Sequence, residues 1–326
     1  MILEANSKTN FVIHPSIKNY IQRNPAVLTW AFVLAIAIAA SIFLDGFYSS
    51  RNFLNILRQS SLLGIIAIGQ TYALLSRGAD LSQSATMTLS AVVAFKVLNG
   101  NNENILPVIL LSIGLGVAVG IFNGVIISNI KVPPFLMTLG SRQIVYGLAL
   151  VYTGGTPSGG VTPLFRGILG QFTFLGIPGQ VFIYGGLVLI FWIILAKTTY
   201  GQKLYATGGN PATARQSGIQ VKKVILIAYI ISGVLAAVGG LVLASRAGYA
   251  DNVLGQGYEL NAVAASVIGG TAFTGGKGGL VGTVGGVILM TVLQNILNIM
   301  GMNPSYFLIV SGLVVVIAVT LLKTSD

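Results

Sequence analysis

Asp80, in "SRGADLS" (76–82), and Arg142, some seven residues into an apolar run that begins near residue 135, are ionisable side chains set in strongly apolar surroundings. A charge at membrane depth is costly, so such a residue is a functional candidate by default. Two readings stand for Asp80: a local ion pair with Arg77 that closes the turn, or a place on a polar path if the turn is buried at mid-depth. Arg142 either snorkels to the cytoplasmic face or stays interior and hydrogen-bonded, the reading we favour. Gln70, Asn123, Gln294, Asn295 and Asn298 also fall in apolar runs, where each amide needs a partner. Gln294 and Asn298 are four apart and share a helix face. These amides either join helix to helix or offer weak donors and acceptors to a neutral, hydroxyl-rich solute. Together the seven residues are the candidates for a polar site or path within the membrane.

Covalent chemistry is poorly supplied. Cysteine is absent, which removes disulfides, thiolate metal sites and thiol nucleophiles; the single histidine, His14, lies in a polar lead, and seven acidic residues are scattered over the chain. We expect no catalytic residue, no metal site and no cofactor bound by this chain. "GGTAFTGGKGG" (269–279) imitates a phosphate-binding loop and fails twice: Thr271 stands where the first glycine belongs, and Gly278 rather than Ser or Thr follows Lys277.

The elements that must hold these residues are membrane helices. A mean hydropathy of +0.85 with 8% charged residues leaves too little polar surface to cover a soluble globule of 326 residues. Apolar stretches near the ~20 residues that cross hydrocarbon recur along the chain. We read an all-α polytopic membrane protein with about ten transmembrane helices, near 27–44, 56–76, 81–98, 105–127, 135–153, 180–196, 224–245, 259–273, 280–299 and 305–322. The first run lacks the short apolar core and small-residue cleavage site of a signal peptide and reads as a retained span. The domain organisation is a cytoplasmic N-terminal segment (1–26), one membrane domain (27–322) and a cytoplasmic tail (323–326).

With both termini cytoplasmic, twelve of the eighteen basic residues face the cytoplasm, which explains a net charge of +11 without nucleic acid. Gly116, Gly120 and Gly124, and likewise Gly278, Gly282 and Gly286, repeat every four residues, a spacing for close helix packing within the chain. "SRGADLS" (76–82) and "FTGGKGG" (273–279) each join two apolar runs by a Gly-rich turn with one basic residue. They hint at an internal repeat, inverted if the second span pairs with the seventh.

One polar interruption is well formed. In "YATGGNPATARQSGIQVKK" (205–223), Asn210 can cap a helix, Pro211 fits its first position, and Gly218 can close it in the left-handed conformation. Ala212, Thr213, Ala214, Arg215, Gln216 and Ser217 fill the two turns between, too short to stand alone in water. A partner surface is required, and without a bulky apolar face a lipid surface is no better a candidate than a protein.

These residues resemble the membrane permeases of ATP-binding-cassette sugar importers of the ribose, xylose and galactose type. "GQKLYATGGNPATARQSGI" (201–219) is similar to their cytoplasmic coupling segment, "GQGYELNAVAASVIGGTAFTGGKG" (255–278) to a second signature and "SRGADLS" to a third, with similarity from about Asn52 to Leu322. The resemblance implies two permease subunits, identical or paralogous, with the path at their interface. It also implies a cytoplasmic ATPase that uses ATP and magnesium, an extracytoplasmic sugar-binding protein, and residence in a bacterial-type inner membrane. The coupling segment then falls on 201–223, with its docking part from Gly208 and Gly209 through Asn210 to Gly218, and Arg215 and Ser217 as contacts. Departures from the family pattern, Gln83-Ser84-Ala85 after Asp80-Leu81-Ser82, Asn261 where Asp is common and Tyr146-Gly147 where Arg-Gly is common, leave the sugar open. Nucleosides or furanone-like signals are the alternative solutes, and a channel or secondary transporter the alternative class.

Outside, residues 154–179 form the longest loop. Its Gly, Pro and Thr suggest irregular structure, and Phe165, Leu169, Phe172 and Phe174 a short interfacial helix or gate. Arg166 there and Asp251 in "RAGYADNVLGQGYE" (246–259) are the expected contacts of the binding protein.

Overall fold

Prolines set several helix boundaries: Pro25, Pro134, Pro163 and Pro211 each occupy the first helical position, where a missing N–H goes unnoticed and φ is already helical. The computed structural model describes residues 25–130, 132–303 and 305–323. The predicted cytoplasmic lead with Lys8, His14, Lys18 and Arg23, together with Lys131 and tail residues 324–326, lies outside the described residues.

In chain order the helices are α1 (Pro25–Phe43), α2 (Ser50–Leu75), α3 (Gln83–Leu98), α4 (Ile105–Ile130), α5 (Pro134–Thr153), α6 (Pro163–Arg166) and α7 (Gly179–Lys197). Then follow α8 (Thr199–Gly209), α9 (Pro211–Gln216), α10 (Val221–Ala247), α11 (Tyr258–Ile268), α12 (Leu280–Ile299) and α13 (Ser305–Lys323). A helix underlies each of the ten predicted runs. Among the described residues six, α1, α4, α5, α7, α10 and α12, are long and apolar enough to cross a membrane. The structure therefore supports a multi-pass helical membrane protein, with six candidate crossings by length and composition.

The differences lie in two short helices. α3 has 16 residues and α11 has 11, about 24 and 17 Å long against a hydrocarbon core of ~30 Å. The run predicted over 259–273 stops at Ile268, and Gly270, at φ +88°, turns the chain. Irregular backbone at depth is tolerated where protein buries it, and Thr271 is fully buried.

α10 is the central helix, packed on α2, α3 and α4. The glycine row of α4 lies directly on it: a Cβ at Gly116 would strike the Gly233 carbonyl, and one at Gly120 the backbone of Tyr229 and Ile230. Gly282 and Gly286 of α12 are pressed in the same way against Gly269 and Ala265. Both rows serve packing within the chain.

The two Gly-rich turns singled out in the sequence touch, the Gly276 N–H donating to the Leu75 carbonyl at 3.1 Å. Asp80-Leu81-Ser82 and Glu259-Leu260-Asn261 stand alike at the starts of the two short helices α3 and α11.

Candidate functional site

The capped helix forms as its sequence dictates. Asn210 Oδ1 accepts from the N–H groups of Ala212 at 3.0 Å and Thr213 at 3.1 Å, and Gly218 takes φ +80°. Ser217 ends the helix, its N–H and hydroxyl both donating to the Thr213 carbonyl. Ala214 is the buried foot of α9, whereas Ala212, Thr213, Arg215, Gln216 and Ser217 are exposed. The helix thus rests on the protein by one small side chain and presents the rest.

The 11-residue α8 that carries α9 adds to the predicted elements; Thr198 caps it, its hydroxyl accepting from the Gly201 N–H. Leu204 of α8 is fully buried. Tyr200 donates to the Val224 carbonyl at 3.2 Å and Tyr205 to the Gly278 carbonyl at 2.8 Å. Burial pushes both phenols above their ordinary range, which keeps them donors.

Gly208 and Gly209 end α8 at a junction of three backbones. A Cβ on Gly208 would strike the Leu75 carbonyl and the Gly276 backbone; one on Gly275 would strike Arg77, and one on Gly276 the backbone of Gly208 and Gly209. Gly275 and Gly276 also have φ of +82° and +70°, a region that disfavours side chains. The end of α2, the loop before α12 and the end of α8 therefore meet largely backbone to backbone, with the Arg77 side chain beside Gly275.

Asp80 is buried, and Arg77 is exposed. The carboxylate accepts from the Ser82 N–H at 2.9 Å, the Ser82 hydroxyl at 2.5 Å and the Ser232 hydroxyl of α10 at 2.6 Å. Gln83 donates to Ser232 Oγ at 2.9 Å, and Asn123 of α4 donates to Ser82 Oγ at 2.8 Å. Asp80 and Asn123 are thus joined in one buried network that ties α3, α4 and α10 to the turn.

Arg142 has the interior partner expected of it: its guanidinium lies 3.1 Å from Glu259 Oε1 of α11. Glu259, not singled out in the sequence, is 2% exposed, and its second oxygen has no hydrogen-bond partner among the described residues. The two are 117 positions apart, and only the approach of α5 to the start of α11 brings them together.

The other candidates separate. Gln70 is fully buried in α2. Asn295 exchanges reciprocal amide bonds with Asn52, at 2.9 and 2.7 Å, clamping α12 to the start of α2. Gln294 is half-buried and Asn298 exposed on α12. In the two loops expected to meet the binding protein, Arg166 Nε donates to the Ser245 carbonyl at 3.3 Å, and Asp251 accepts from the Val253 N–H at 3.1 Å. The long loop contains the short helix α6, then a π-helical turn (Gly167–Gln171) and a hairpin of β1 (Thr173–Phe174) and β2 (Ile177–Pro178). Phe165 is buried beneath it, and Phe172 and Phe174 are exposed. Among the described residues no cluster of His, Cys, Asp or Glu is arranged to hold a metal.

A multi-pass helical protein with a rigid polar helix mounted on one face, and polar groups buried in its interior, has the build of a transport-system membrane component. The chain belongs to the family described as branched-chain amino acid transport system / permease component, which matches residues 52–319. It is 39% identical over 294 residues to the ribose import permease protein RbsC of Bacillus subtilis, covering 89% of each chain. It is 38% identical over 307 residues to the galactose/methyl galactoside import permease protein MglC of Escherichia coli, covering 89% of this chain and 91% of that one. The ribose permease of Escherichia coli is 37% identical over 292 residues, covering 89% and 90%. No solved structure gives a significant match.

Proposed function

We propose that this chain is the permease subunit of an ATP-binding-cassette importer, forming the inner-membrane path for a monosaccharide delivered by an extracytoplasmic binding protein. The exposed face of α9, held rigid by caps at both ends, carries this reading. A short helix of that kind needs a cognate surface, and a cytoplasmic ATPase that uses ATP and magnesium supplies one. The chain itself contributes no catalytic group. On this reading the chain crosses the membrane ten times as one domain over 27–322, with both termini and residues 201–223 on the cytoplasmic side. Two such chains, identical or paralogous, enclose the path. Movement of the ATPase reaches the interior through α8 and the glycine junction, a rigid-body transfer rather than a chemical one. Asp80, Asn123, Arg142, Gln70, Gln294, Asn295 and Asn298 are the candidates for lining that path, and Arg166 and Asp251 belong to the face that receives the binding protein.

The test is co-purification of the tagged protein from mild detergent, wild type beside Arg215→Glu. A cytoplasmic ATPase present with wild type and lost with the variant is the expected result. Its absence from both would overturn the importer reading.

A further inference from the structure

Beside the Arg142–Glu259 pair lies a cavity of about 270 Å³ between α3, α5 and the segment that precedes α11. Its wall includes Arg142, Gln143, Tyr146, Asn252 and Gln256. Asn252 is engaged: it donates to the Gly155 carbonyl at 3.1 Å and accepts from Thr153 at 3.2 Å. The side chains of Gln143, Tyr146 and Gln256 have no hydrogen-bond partner among the described residues, and Arg142 spends one nitrogen on Glu259. Two amides, a phenol and most of a guanidinium therefore face one space with their polar capacity unused.

Depth makes this arrangement informative. Arg142 and Tyr146 lie eight and twelve residues from the start of α5, roughly 12 and 18 Å along its axis. That is the middle of a 20-residue span, where Gln143 is exposed and Arg142 and Tyr146 are partly so. Hydrocarbon does not accept such groups, so this face must meet water or a polar solute. Charge narrows the choice. Glu259 offsets the guanidinium, leaving a dipolar wall of donors and acceptors without strong net charge. Such a wall matches the hydroxyls of a neutral ring better than a carboxylate or phosphate.

We infer that this cavity is a solute subsite within the permease, taking one neutral polyhydroxylated ring through Arg142, Gln143, Tyr146 and Gln256, with Glu259 as the positioning residue that fixes Arg142. The inference rests on the permease reading and adds a place where the membrane subunit itself touches the cargo.

The absence of cysteine makes a direct test available, because Gln256→Cys introduces the sole thiol of the chain. The permease with its ATPase is reconstituted in vesicles and treated with a water-soluble methanethiosulfonate reagent, with and without D-ribose or D-galactose. Asn102→Cys, exposed and remote from the cavity, is the control. One of the sugars should slow modification of Gln256→Cys several-fold and leave the control unchanged. Equal rates with and without sugar, in vesicles that still take sugar up, overturn the subsite and leave the permease reading standing. Vesicles in which wild type takes up neither sugar, with the binding protein and ATPase present, overturn the permease reading for these sugars and the subsite's cargo with it. Tyr146→Phe gives a second readout that removes only one hydroxyl. Sugar moved per ATP hydrolysed should fall roughly 3- to 10-fold, the effect of one lost hydrogen bond, at unchanged ATPase rate; an unchanged ratio counts against the subsite.

Discussion

Asp80 and Glu259 are the same motif put to two uses. Each opens a carboxylate-Leu-polar triplet at the start of a short helix, and each is almost wholly buried. Both oxygens of Asp80 accept hydrogen bonds, from Ser82 and from Ser232 of α10. Glu259 gives one oxygen to Arg142 and keeps the other unfilled, beside a polar cavity. A buried polar group with its capacity filled ties elements together, whereas one left half-filled marks a place where the fold has been arranged for something other than stability. By this criterion Asp80 holds the architecture, and Glu259 is the carboxylate that the proposed subsite uses.

The largest effect should come from Asp80→Ala, which strands Ser82 and Ser232 in a buried site. We expect a loss of about 3 kcal/mol, read as a lower thermal midpoint in detergent; an unchanged midpoint would break the assignment of Asp80 as a tie. Next is Gly208→Ala, whose methyl must displace backbone at the junction below that turn, costing about 2 kcal/mol. Cross-linking or hydrogen exchange should report the shift in residues 75–80 and not around Glu259. Glu259→Gln keeps an acceptor for Arg142, and the pair is partly exposed, so about 1.5 kcal/mol is expected. Its uptake should fall further than its stability, and the reverse order would erase the contrast with Asp80. Asn210→Ala is the mildest, about 1 kcal/mol of local helix stability. It should weaken transport-coupled ATPase activity with insertion intact; wild-type coupling would show that the cap is dispensable.

Much of this was legible in the sequence because its causes are local. Apolar runs gave ten helices, Asn210, Pro211 and Gly218 gave the ends of α9, and the glycine rows gave the packing of α4 on α10. The polar interior was legible only in part. Arg142 announced itself as a charge within a span, but Glu259 sat at a predicted helix start with nothing local to pair it. The partner of Asn295 is Asn52, 243 positions away, which nothing in the local sequence announces. The hairpin at 173–178 escaped notice because Leu175, at φ +51°, adopts a conformation its side chain does not advertise.

The glycine junction has a mechanical consequence. Side chains at a moving contact act as springs, since rotamers can hop and take up part of a displacement. Gly208, Gly209, Gly275 and Gly276 offer no such compliance. A push delivered to α9 therefore meets peptide planes already in contact with Leu75 and the loop before α12, and it arrives at both segments together and with little slack.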